Sequence, residues 1–324
     1  MGFFALIAAL LLEQVQPLAR DTPASRAVRA ASAWVEANTN AGEARHGAFG
    51  WLVLTGGACA IVLLAEWLLG RIHGLVVFAL HVAVLYYTVG FRQLSRTFTR
   101  IQLALAAGDV DDARAVLERW LRDADSDRPV GAAPAGEICR LAISHALLAA
   151  HRLVFGPLFW YVLLPGAMGP VLYRMAEHLS RRWREQPLAP VGSPSSVVHA
   201  SEPYGRFAQR AYRAIDWLPL RLSAASFAVV GNFEDAVYCW RGANAVTAAD
   251  RQRSVLLGAG SGALGLRIAD PKLEAKWAAS PTGFDWSGAE PDAAGLRSAV
   301  GLVWRAMVLW MLVFALLTTA SWIA

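Results

Sequence analysis

The sequence predicts an all-α, polytopic integral membrane bundle with amphipathic cytoplasmic helices and one broken, Pro/Gly-rich membrane segment. Three observations predict it. First, the 324 residues are 56% hydrophobic and only 17% charged, against about a quarter charged in an ordinary soluble chain. Second, 13 residues are tryptophan, whose half-apolar ring favours the membrane–water interface. Third, apolar runs recur at close to the ~20 residues that a spanning helix needs.

The net charge of +5 comes from arginine, since Lys272 and Lys276 are the only lysines. The arginines flank apolar runs, as basic cytoplasmic loops do. There is no arginine-rich tail with interleaved aromatics, so nucleic acid is not an expected partner. Cys59, Cys139 and Cys239 lie far apart without CxxC spacing, which predicts small buried residues and not a disulfide framework or a zinc site.

The chain reads as one domain over 1–324. Residues 1–12, MGFFALIAALLL, are too short to span and lack the basic start and cleavage site of a secretory signal. They predict a retained helix packed on the bundle. Residues 51–69 form the first clear span, where Gly56 and Gly57 allow a second helix to approach. Glu66, near its end, can reach the interface. A polar turn at Arg71 and His73 leads into the second span, 74–91. His81 lies in the middle of that span, where an ionisable group normally faces protein or water. It is either a hydrogen bond between helices or a proton-linked or ligand-binding group.

Residues 92–153 change character and predict a cytoplasmic helical insert. Apolar residues three and four apart, with charges between them, give two amphipathic helices broken at Gly108 and Asp109. Asp109, Asp111 and Asp112 suit a helix start better than a metal cluster. A loop over 125–134 and a helix over 135–153 follow. The apolar segment 154–175 then carries Pro165-Gly166 and Gly169-Pro170 and runs into Arg174, Arg181, Arg182 and Arg184. Basic residues on both sides of one span are reconciled if the segment bends or turns back at the break, with protein or water around the freed backbone.

Residues 187–201, rich in proline and serine, predict a flexible loop. A helix is expected over 204–214, then Asp216 as the cap of an apolar helix over 217–230. Small residues between Gly258 and Gly265 predict a closely packed turn, and 272–294 a polar loop. The last span is 302–323, with Arg305 close enough to its start to snorkel outward.

No GxxxxGK[ST] occurs, and the glycines at 258, 260, 262 and 265 lack the strand-to-helix setting of a nucleotide fingerprint. The spacing of His145 and His151 rules out a zinc-protease helix. No catalytic or metal-ligating residue is assigned. The candidate ligand-binding set is Arg92, Arg96, Arg174, Arg210, Asp216 and Arg221. Arginine grips phosphate with two parallel donors, although lipid headgroups draw arginines in the same way. The expected partners are the lipid bilayer, a phosphorylated or lipid-linked small molecule, and a second copy of the chain.

Several segments together resemble the CobD/CbiB family: PLFW at 157–160, GPVLYR at 169–174, WLPLRLSA at 217–224, GALGLRI at 262–268, and the pattern around Ala104, Gly108, Asp109 and Arg114. The resemblance covers most of the chain in the same order. It implies membrane adenosylcobinamide-phosphate synthases of cobalamin biosynthesis, which join an amine to a carboxylate with Mg-ATP. The chain departs from the pattern at its polar positions. Arg140, Ile143 and Arg210 remain. Ser144, Leu148, Ala149 and Arg152 replace acidic or amide residues. Glu177, His178, Leu179 and Ser180 stand where the family has NTLD, and Tyr212 and Arg213 stand where it has paired aspartates.

Those losses, with DWLPLRL at 216–222 and the short first helix ending in Glu13, resemble the AmpE-like branch. That resemblance implies a bacterial inner-membrane, multi-pass protein without synthase activity or cofactor, acting in signalling or ligand binding at the membrane surface. Two alternatives stand beside it. One is a divergent amide synthase of cobalamin biosynthesis, using Mg-ATP. The other is a small-molecule transporter, suggested by His81 and the broken helix.

Overall fold

The computed structural model describes residues 2–15, 22–40, 43–123, 130–183, 201–243, 251–279 and 286–323. Arg184 lies outside them, as does the loop expected over 187–201 except for Ser201, which opens a helix. The fold is all-α, as composition predicts. Among the described residues the sole extended pairing is an isolated bridge between Leu266 and Ala289. The helices are α1 Gly2–Val15, α2 Pro23–Thr39, α3 Ala44–Gly70, α4 Gly74–Thr88, α5 Phe91–Ala106, α6 Val110–Asp123, α7 Ala135–Ala150, α8 Gly156–Leu163, α9 Met168–Arg182, α10 Ser201–Val230, α11 Phe233–Ala243, α12 Arg251–Leu264, α13 Pro271–Ala278 and α14 Ala293–Ile323. A π-helical turn, His151–Phe155, joins α7 to α8.

Among the described residues, three helical stretches are long and apolar enough to cross a membrane: Ala44–Gly70, Ala135–Leu163 and Ala293–Ala320. The second begins inside the stretch read from sequence as cytoplasmic insert. Charges at Glu137, Arg140 and Arg152 interrupt its hydropathy, and the helix runs through them without a break. On α3 and α14 large apolar side chains such as Ile61, Trp67, Val308 and Leu316 are exposed, the surface that a lipid environment covers. In lipid such helices gain little from hydrophobic transfer against one another, so close packing and polar contacts decide which faces meet.

The chain divides into two compact units, one formed by Met1–Val89 with Pro157–Asp216, the other by Gly90–Gly156 with Trp217–Ala324. In the first unit α3 packs on α2 and α9, and α1 on α4. Its core gathers Trp51, Ala176, Leu179, Trp183, Tyr204 and Ala208. Here α3 approaches so closely that a Cβ on Gly47 would lie 2.0 Å from the Tyr204 carbonyl oxygen. The helix break expected at Pro165-Gly166 is present: α8 stops at Leu163, Gly166 adopts φ +67° and α9 starts at Met168. Gly169 then lets the chain fold back, since its Cβ would sit 2.1 Å from the Trp160 carbonyl oxygen.

In the second unit α11 and α12 pack along their length. The stretch expected as a glycine-rich turn is, as far as Leu264, the C-terminal half of α12, because tight packing against α11 outweighs the weak helix propensity of glycine. A Cβ on Gly262 would fall 2.1 Å from the Asp235 carbonyl oxygen, and one on Gly258 would fall 2.6 Å from Ala243 Cβ. The predicted close packing holds, and the predicted turn is confined to the end of the stretch, where Gly265 follows the helix with φ +69°. Cys239 lies buried at this contact, and burial followed by the nearby Asp235 pushes its thiol up to about 12. The segment 272–294, expected as a polar loop, contains most of α13, capped by Asp270 through its bond from the Lys272 amide. Asp109 caps α6 as expected, accepting from the Asp112 amide at 2.9 Å. At the π turn, His151 Nδ1 lies 2.9 Å from Ser223 Oγ, both buried.

Candidate functional site

In the first unit, α9 and α10 bring polar side chains together in a way the sequence pattern hides. Tyr173 and Glu177 are one turn apart on α9, and Tyr212 and Asp216 one turn apart on α10, so each pair shares a helix face. The Tyr173 hydroxyl donates to Asp216 Oδ1 at 2.8 Å and lies 3.2 Å from the Tyr212 hydroxyl. Asp216 is only 3% exposed. It is therefore not the cap of a helix starting at Trp217. It sits in the middle of α10, and Pro219, read as a helix start, lies inside that helix. Glu177 is also buried and is paired by Arg174 on one side and by Arg181 at 3.7 Å on the other.

Beside this pair, His178 Nε2 lies 3.1 Å from Ser32 Oγ of α2. The Ser32 hydroxyl itself donates to the Val28 carbonyl at 2.5 Å, so the imidazole N–H donates to it. Burial, then the neighbouring Arg182, lowers the His178 pKa from its ordinary value. Arg182 in turn pairs with Glu36 at 3.3 Å. The region is thus a row of arginines on α9 held in place by buried or half-buried carboxylates. Such a row can orient an anionic group, and the carboxylates keep the guanidinium planes fixed.

The other candidate residues stand as follows. Arg210 is exposed on α10, Arg96 is exposed on α5, and the Arg92 side chain lies outside the described residues. Arg221 packs its guanidinium 4.1 Å over the Trp217 ring and donates to the Trp217 carbonyl at 3.0 Å. Of the six, Arg174 and Asp216 flank the Tyr173–Glu177 face. His81 is bonded on both sides, with Nδ1 2.9 Å from the Tyr161 hydroxyl and Nε2 3.0 Å from Glu66 Oε1. Glu66 turns inward and accepts the Ala167 amide at 3.2 Å, so it does not reach out to the interface.

Sequence reasoning missed Glu66, Tyr161, Tyr173 and Glu177. One signal pointed to the first. Glu66 and His81 are six and nine residues from Ile72 at the hairpin turn, or about 9 and 13 Å along their helices, and two ionisable groups at similar depth are natural partners.

The chain also matches a known family along most of its length. The family described as CobD/Cbib protein matches residues 6–303. The chain belongs to the CobD/Cbib family. Within reach of that family are two curated relatives. The cobalamin biosynthesis protein CobD of Chromobacterium violaceum is 31% identical over 274 residues, covering 80% of this chain and 79% of the relative. The cobalamin biosynthesis protein CobD of Stutzerimonas stutzeri is 27% identical over 273 residues, covering 83% and 80%. No solved structure matches.

These CobD relatives overturn the AmpE-like, non-synthase signalling reading. The inference from missing carboxylates counted acids only at fixed motif positions. Glu177 lies three residues before Ser180, and Asp216 four residues after Tyr212, so buried carboxylates occupy the same helix faces one turn away. They do not make a resident metal centre, however. Among the described residues no group of three or more His, Cys, Asp or Glu side chains could hold a metal ion. Asp216 takes the Tyr173 proton donor and Glu177 is bridged by two arginines, so this donor set does not fit magnesium held by protein carboxylates.

Proposed function

We propose that the chain is a membrane enzyme of cobalamin biosynthesis, joining an amine to a carboxylate as an amide at the expense of ATP. The observation that carries the reading is the match along residues 6–303, with 31% identity to a cobalamin biosynthesis protein over 80% of the chain. The apolar spans support a multi-pass position in a bacterial inner membrane, with the α9 arginines at its cytoplasmic edge. In this reading Arg174, fixed by Glu177, orients a phosphate-bearing substrate. Asp216 and Tyr173 form the rigid floor behind it. Arg210, exposed on α10, adds positive charge at the approach.

The test is direct. Purified protein in detergent is supplied with ATP and Mg²⁺, cobyrate and aminopropanol phosphate, and the amide product is followed together with ATP consumption. ATP-dependent product is the expected result. Folded protein that forms no product and leaves ATP intact would overturn the reading.

A further inference from the structure

Three titratable groups meet at the break of the first unit, and their hydrogen bonds fix a proton count. The Tyr161 hydroxyl donates to the Gly2 carbonyl oxygen at 3.2 Å. A carbonyl can only accept, so the phenol's one proton is committed there. The 2.9 Å contact between Tyr161 Oη and His81 Nδ1 then requires a proton on Nδ1. On the other side of the ring, the 3.0 Å contact between Nε2 and Glu66 Oε1 requires one more proton, on either atom. Glu66 Oε2 accepts the Ala167 amide at 3.2 Å. Among the described residues, these four contacts are all made only with one proton beyond a bare carboxylate and a neutral imidazole.

Both neighbouring states lose a bond. If that proton leaves, the imidazole must turn its remaining N–H toward Glu66 and take the Tyr161 proton on Nδ1, which deprives the Gly2 carbonyl. If a second proton arrives, the carboxyl gains hydrogen on Oε2, where it faces the Ala167 N–H as donor against donor. That amide belongs to the residue after Gly166, whose φ is +67° and whose own Cβ would lie 2.0 Å from Glu66 Oε2. The carboxyl group thus fills the space of a side chain at the break and ties it to α3.

We propose that Glu66 and His81 form a proton-binding site within the membrane helices, whose single shared proton holds the Gly166 break closed. Among the described residues the following groups face the pair. α8 supplies Tyr161 and α1 the Gly2 carbonyl. On α3, Cys59 lies two turns before Glu66 with Sγ 4.0 Å from the Met168 carbonyl oxygen. Further along the same helix, the Arg71 guanidinium sits 4.3 Å over the Trp67 ring. On α9 the first charged side chains, Arg174 and Glu177, pair with each other. An ionisable pair in a membrane segment is costly unless its partners are built around it, and here Tyr161 and the Ala167 amide flank it on either side. The site stands independently of the ligase reading.

The full chain in lipid nanodiscs provides the test. With ¹⁵N-labelled histidine, and His81→Gln to identify the signal, His81 is expected to carry hydrogen on Nδ1 near neutral pH. A bare Nδ1 from about pH 5 to about 9 would overturn the proposal. In a chain with Cys139 and Cys239 replaced by alanine, the alkylation rate of Cys59 reports opening of the break. The ratio of the parent's rate to that of Glu66→Gln is expected to be lowest at intermediate pH. It should rise on both sides by up to about tenfold per pH unit, the limit for one titrating proton. A flat ratio across that range would overturn the proposal. The histidine measurement needs no Glu66 variant, so a bare Nδ1 overturns the proposal even if Glu66→Gln fails to fold.

Discussion

The hydroxyl of Tyr173 on α9 donates to Asp216 of α10 at 2.8 Å, and the two are 0% and 3% exposed. Removing that donor leaves a buried carboxylate less well solvated, at a cost of about 1–3 kcal/mol. Tyr173→Phe is therefore expected to lower the thermal unfolding midpoint in detergent. Asp216→Asn keeps an acceptor for Tyr173 and should lose less. Equal midpoints for parent and Tyr173→Phe would show that the contact carries no stability.

Gly166 is expected to resist alanine for two separable reasons. Its φ of +67° disfavours any Cβ, worth about 1–2 kcal/mol, and Glu66 Oε2 occupies the place of that Cβ. A double-mutant cycle with Glu66→Ala checks this. The steric part of the loss should disappear in the double variant while the conformational part persists. Strict additivity would contradict the close approach of Glu66.

His178 gives stability a pH dependence with a defined sign. Its folded pKa lies below the ordinary 6.5, through burial first and Arg182 second, so the unfolded chain binds more protons in between. Its contribution is fully present above pH 6.5 and is lost as pH falls through that value toward the lowered folded pKa. The parent should therefore lose more stability than His178→Gln on acidification from neutral pH, in thermal melts of both proteins. Parallel curves would refute it.

Arg174→Ala should raise KM for the phosphate-bearing substrate about tenfold or more, with a smaller effect on kcat, as loss of a binding contact does. Arg174→Lys should recover only part of the loss, because an ammonium cannot give two parallel donors. Steady-state kinetics at saturating ATP would check this. An unchanged KM would remove Arg174 from the substrate site.

Much of this fold could be read from the sequence and much of the site could not, for physical reasons. Hydropathy measures composition over a window, so it found α3 and α14, and the paired Pro and Gly residues located the break. Small-residue spacing at Gly258 and Gly262 reported close approach, but not that a helix would survive it. Asp216 was misread because an acid before Trp-Leu-Pro looks like a cap; only the three-dimensional approach of α9 shows that Tyr173 solvates it. Glu66 was misread because snorkelling and inward hydrogen bonding begin from the same residue at the same depth. The carboxylate of Glu177 was overlooked because a motif fixes sequence position, whereas a helix face tolerates a shift of one turn.

The first unit is discontinuous, built from Met1–Val89 and Pro157–Asp216, and its core places Trp51 against Trp183 and Tyr204. A ribosome delivers these partners far apart in time. While the intervening residues are synthesised, α3 stands in the bilayer with its inner face unclothed and Gly47 waiting for a backbone not yet made. Maturation of this half of the protein therefore waits on its last segment: a chain that stalls before residue 204 lacks the Tyr204 and Ala208 side of that core.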